Sequence, residues 1–155
     1  MATSTATAAH AFKAAMVAAM RALVDEGTCL VTFGHPGASV SNFPDAVAFT
    51  RIDSVQDPAT LGTNRAREET LTLVAQISCW RPGEADDATA SDAAYGLLEV
   101  LERHVRVTDT TIGGTVRQCF LESHSSEGAT DPDVLVRGRM IEIEATFVAV
   151  TRITG

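Results

Sequence analysis

Glu142 and Glu144 are two carboxylates on one face of an alternating run near the C-terminus, about 7 Å apart by strand rise. Such a pair could divide acid and base duties in a hydrolytic reaction. No histidine, lysine or further carboxylate cluster is fixed beside them by the sequence, so a solvated or channel-facing strand surface is the better reading. His104, His124 and Cys119 are metal-ligating residue types, yet no two of them stand at a ligand spacing such as C-x-x-C or H-x-x-x-H. Cys119 also lacks the local signature of a nucleophilic thiol. Ser39, Ser41, Ser123 and Ser125 lie outside any G-x-S-x-G elbow. Gly34 to Gly37 and Gly113-Gly114 are too short for phosphate-cradling loops and read as turns. The sequence therefore assigns no catalytic residue, no cofactor and no metal, and the expectation is a protein that is not an enzyme.

One charge pattern reads as interactive. Arg65 and Arg67 stand beside Glu68 and Glu69 in a polar connection, and a tip carrying both signs can pair with its counterpart on an adjacent copy. Arg65, Arg67 and Glu68 are the candidate interface residues. An exposed loop with solvated charges is the alternative.

Composition narrows the classes. The 155 residues fit one domain, and 45% hydrophobic with 21% charged residues is the balance of a globular chain. A net charge of −8, from 12 basic and 20 acidic residues, argues against a surface built to neutralise phosphates. It suits a protein that lets a polyanion slide past. No run approaches the roughly 18 apolar residues of a membrane span, and the start lacks the basic and apolar segments of a signal peptide, so synthesis in the cytosol is expected. Cys29, Cys79 and Cys119 are odd in number and widely spaced, which fits buried free thiols.

The elements that must position these residues follow from periodicity. Arg139 to Ile153 alternates as a long strand, with Ile141, Ile143, Ala145, Phe147, Ala149 and Ile153 on one face. Val148 and Val150 fall on the other, polar parity, and something is expected to cover that face near its end. Ala8 to Val24 carries an apolar helical stripe of Ala9, Phe12, Met16, Ala19, Met20 and Leu23, with Lys13 and Arg21 off it, and Gly27 placed to end the helix. Thr28 to Phe33 and Val47 to Val55 read as strands, with Ala38 to Pro44 as a loop between them. Glu69 to Trp80 alternates, with Leu71, Leu73, Ala75, Ile77 and Cys79 on one face. Residues 56–67 between the last two strands form a polar arm, either a mobile tip or a partner-binding element.

A second helix is expected from about Ser91 to Arg106, capped from within Thr89 to Asp92, its stripe being Ala94, Leu97, Leu98, Leu101 and Val105. Gly96 inside it predicts close approach to a neighbour. His104 flanks the stripe at the helix end, where a partly positive ring is favourable. Thr115 to His124 is a further strand. The order predicts an α+β fold: a mostly antiparallel sheet with two helices packed on one face and a long polar arm between two strands. Residues 1–7 are expected to be flexible.

This order resembles the tail terminator, or tail completion, proteins of long-tailed bacteriophages. The resemblance rests on the helix HAFKAAMVAAMRALV leading into CLVTF, the strand pair around the arm FTRIDSVQDPATLGTNRAREETLTLVAQISCW, the helix SDAAYGLLEVLERHV and the closing strands TVRQCFLESH and RGRMIEIEATFVAVTRI. It covers nearly the whole chain by pattern. It implies a homohexameric ring that caps the finished tail tube, stops its polymerisation and presents the surface on which the head connector docks. The implied partners are copies of itself, the tail tube protein and the connector or neck protein, with DNA passing through unspecifically and no membrane. The implied location is the head-proximal end of the virion tail, reached from the host cytoplasm. A head-to-tail neck adaptor shares this size and fold class, and a small thioesterase-like enzyme would also be built from long alternating strands around a helix.

Overall fold

The structure, a computed structural model, describes residues 6–59, 66–133, 135 and 137–154. Five strands form one sheet in the order β1-β2-β3-β5-β4. They are β1 (Cys29–Thr32), β2 (Asp45–Pro58), β3 (Arg67–Pro82), β4 (Gln118–Ser126) and β5 (Gly138–Ile153). Only the β1–β2 pair is parallel, and the other three are antiparallel. Two helices, α1 (Ala9–Leu23) and α2 (Asp87–Arg103), complete the α+β fold.

β3 is the central strand, and β5, which alternates along its whole length, lies beside it, pairing from Gly138 opposite Pro82 to Ile153 opposite Arg67. The apolar parity of β5, from Ile141 to Ala149, is buried with Leu71, Leu73, Ala75, Ile77 and Cys79 of β3. Phe12, Met16 and Met20 of α1 and Ala94, Leu98 and Leu101 of α2 join the same core, which puts both helices on one face. Gly138 is demanded by close approach: a Cβ there would stand 2.4 Å from the carbonyl oxygen of Arg81.

Several boundaries differ from the sequence reading. The arm is shorter than residues 56–67, because Gln56 to Pro58 pair with Arg67 to Glu69 and Ala59 N–H donates to the Ala66 carbonyl at 2.7 Å. Arg65 lies outside the described residues, as do residues 1–5. α2 starts at Asp87, earlier than expected, because Asp86 caps it by accepting from Thr89 N–H at 2.9 Å. Its helical path continues past Arg103 as a π-turn, His104–Thr108. Gly96 is exposed, and a Cβ there would meet nothing within 4 Å, so the expected close approach is absent. α1 ends where Val24 turns extended, and Gly27 instead lies in the following turn, donating to Asp25 Oδ1. Gly37–Asn42 is a 3-10 turn rather than a plain loop. β4 starts at Gln118, later than Thr115, because Ile112, Gly113 and Gly114 are all left-handed and carry the chain round a turn.

Candidate functional site

The sequence reading placed Glu69 among exposed charges, but the residue is fully buried. β3 carries it on the same parity as Leu71 and Leu73, beneath the start of α1 and opposite Gln56 of β2. Its Oε1 accepts the Ala8 backbone N–H at 2.7 Å, satisfying a donor at the helix entrance and placing a negative charge there. Its Oε2 accepts from Ser54 Oγ at 2.5 Å, from Gln56 Nε2 at 2.8 Å and from the Thr7 hydroxyl. Gln56 also donates to the Ala6 carbonyl at 2.7 Å. Burial pushes the Glu69 carboxyl up, but the bonds from Ser54, Thr7, Ala8 and Gln56 outweigh it and hold the group below the usual carboxylate range. Both oxygens are filled by donors, so the group is built to fix position rather than to receive a substrate proton. It locks the hairpin's distal half to the start of α1.

Lys13 performs a second anchoring duty further along α1. Read as off the apolar stripe, it is in fact buried, 8% exposed, with Nζ 2.6 Å from the Thr50 carbonyl and 4.2 Å from the centre of the Phe33 ring. The register of β2 on β3 slips between Phe49 and Ile52, a bulge beyond the last residue paired with β1. The ammonium satisfies a carbonyl at that bulge. Burial lowers its pKa.

The expected interface residues separate. Arg67 is half-buried in β3, between Pro58 and Ile153, and is therefore part of the sheet rather than of a free arm. Glu68 is ion-paired with Arg117 of the same chain. The structure does not bring the other candidates together into a catalytic group. Glu142 and Glu144 are exposed on the sheet face away from the helices, opposite Ser78 and Gln76 of β3. Glu142 lines a cleft of about 600 Å³ with Glu127, Asp131 and Asp133. His124 meets Tyr95 edge-on at 5.5 Å between ring centres. His104 lies in the π-turn with both ring nitrogens shielded and without hydrogen bonds, rather than bonding the helix end.

All three cysteines are buried and free. Burial, with Asp45 adding to it, pushes the Cys29 thiol up to about 11, and burial alone takes Cys119 to about 12. Cys79 is raised too, by burial and by its bond to Asp45. Little thiolate exists at neutral pH in any of them. Among the described residues no cluster of three or more His, Cys, Asp or Glu side chains is placed to hold a metal ion, and no helix is long and apolar enough to cross a membrane.

Two signals for these anchors lay in the sequence: Glu69 falls on the core parity of its strand, and Lys13 adjoins Phe12 on the helix. No known family model matches the chain, and no curated protein matches it significantly.

Proposed function

We propose that this protein is a tail terminator of a long-tailed bacteriophage, a structural subunit that closes into a hexameric ring on the finished tail tube. In this reading the ring stops tube polymerisation, offers its other face to the head connector or neck protein, and lets DNA pass without specific contacts. It acts at the head-proximal end of the virion tail after assembly in the host cytoplasm, without catalysis or a cofactor. The observation that carries the reading is the order of elements along nearly the whole chain: helix, short strand, long hairpin, helix and two closing strands.

Other features agree with a structural role. The long hairpin is locked to α1 through Glu69, which braces β2 and β3 against the helix. Arg65, in the segment that joins β2 to β3, together with Arg67 and Glu68 at the start of β3, supplies charge for a neighbouring subunit or the tube. The acidic net charge limits DNA adhesion. Negative-stain images of the purified protein, alone and mixed with tail tubes, test the reading. Rings, or tubes closed by a ring at one end, are expected. Monomers that leave tube ends bare would overturn it.

A further inference from the structure

On the sheet face turned away from the helices, the segment before β2 and the strands beneath it enclose a pocket of about 350 Å³. Its floor is made of small residues, Ala46 of β2 standing opposite Ser78 of β3. Its walls are large: Trp80 of β3 lies beside Met140 of β5, and Val40 and Phe43 come from the segment before β2. Small side chains ringed by large ones leave a hollow that the protein does not fill for itself. Ala46 is only 5% exposed although no helix covers this face, so the segment before β2 shelters the floor. Gly138 serves the same wall. A Cβ there would come within 2.9 Å of the Trp80 indole, and its absence lets the ring lie against the start of β5.

The polar groups of the pocket are few and of one kind. Ser41 already donates to the Ala38 carbonyl at 3.0 Å. Ser78 and Arg137 also line the pocket, and neither side chain makes a hydrogen bond or ion pair with any described residue. The arginines on either side of Arg137 in the fold are engaged, Arg81 by Asp45 and Arg139 by the Leu135 carbonyl. No Asp or Glu lines the pocket, and Glu142, opposite Ser78, lines the acidic cleft next to it instead. An amine would therefore find no counter-ion here. A sugar would find too few polar partners, and a phosphate carries more charge than one guanidinium answers. A compact apolar body with a single carboxylate matches both parts of the lining, because a guanidinium takes a carboxylate through two parallel hydrogen bonds.

We propose that this pocket binds a small apolar monocarboxylate, with its apolar body against Trp80 over the Ala46–Ser78 floor and its carboxylate on Arg137. Small-molecule sites run from about 300 to 1,000 Å³, and a pocket at the low end of that range suits a ligand no larger than a phenyl-substituted short-chain acid. Like charge on Glu142 keeps the carboxylate at the Arg137 end. The site does not depend on ring closure, and either can fail without the other.

Trp80 is the only tryptophan of the chain, so its emission reports occupancy directly. The full chain is titrated at neutral pH with 3-phenylpropionate, 3-phenylpropionamide and 3-phenylpropylamine, following Trp80 emission and the heat of binding. The acid should give a saturable blue shift, the amide should bind about tenfold more weakly, and the amine should give no shift over the same range. Arg137→Gln should bring the acid down to the affinity of the amide while leaving the amide unchanged, a pattern that a damaged fold would not produce. Arg137 is exposed, so this variant keeps the fold. Ser78→Leu should fill the floor and abolish the shift with both the acid and the amide. No saturable shift with the acid at millimolar concentration, an amine that binds as well as the acid, an Arg137→Gln chain that still prefers the acid, or unchanged binding by Ser78→Leu would overturn the site. Rings that form while none of the probes binds would remove this pocket and leave the proposed function intact.

Discussion

The side chain of Glu69 accepts the backbone N–H of Ala8 at 2.7 Å, joining positions 61 residues apart in the chain. The contact is made inside the core layer, where a lone carboxylate would be costly, and it is tolerated because four donors converge on the group. The hairpin cannot swing away from α1 without stripping that buried charge of its Ala8 and Thr7 donors, leaving only Ser54 and Gln56 of the hairpin itself.

Glu69→Gln is therefore expected to lower stability by about 1–3 kcal/mol, because the amide offers one acceptor oxygen to a site lined by donors. Since the native pKa lies below the unfolded value of about 4.3, the carboxylate's contribution is fully present above that value and is lost as pH falls through the native pKa. Urea denaturation of both proteins from neutral to acidic pH checks this. The gap between them should shrink as the pH drops below about 4.

Lys13→Met keeps the apolar stem but removes the bond to the Thr50 carbonyl and the charge over Phe33. A loss of about 1–2 kcal/mol is expected from the lost hydrogen bond and cation–π contact. The urea midpoint should fall with the slope unchanged, as befits a local loss in the native state.

The thiols give a simple readout of core integrity. With Cys29, Cys79 and Cys119 buried and their pKa values raised, a thiol reagent at mildly alkaline pH should modify the native protein only slowly. All three should react promptly once the protein is denatured. Fast labelling of any one in the native state would contradict the packing of its strand.

Under the proposed function, Arg65→Ala should leave the melting temperature unchanged while weakening assembly, since truncating one partner of a desolvated pair costs about 2–5 kcal/mol at an interface. Arg67→Ala should lower the melting temperature as well, because that side chain is half-buried in β3. Comparing melting curves with ring formation for the two variants separates partner-binding arginines from solvated ones.

The parts of the fold legible in the sequence are those where one face of an element is buried. Ile141 to Ala149 alternate because helices cover that side of β5, so its extent was readable almost to the residue. The strand order was not readable, since the placing of β5 between β3 and β4, and of β1 parallel to β2, depends on contacts between segments far apart in sequence. Glu69 and Lys13 escaped notice because charge type outweighed position: each sits at or beside a core position, and only the converging donors or the bulge carbonyl explain a buried charge there. The Asp86 cap was missed because Thr89 to Asp92 offered several competing capping groups just after it. The candidate interface was legible only as a charge pattern. Pairing of Pro58 with Arg67 and of Asp57 with Glu68 puts two of its three residues into the sheet.

The central claim, that this chain ends tail growth, is tested most directly by tube length in particles assembled without it. Electron micrographs of lysates from phage lacking this protein should show tubes that run past the normal length and carry no heads. Complementation with the wild-type chain should restore both length and heads. Tails of normal length joined to heads in its absence would contradict the account.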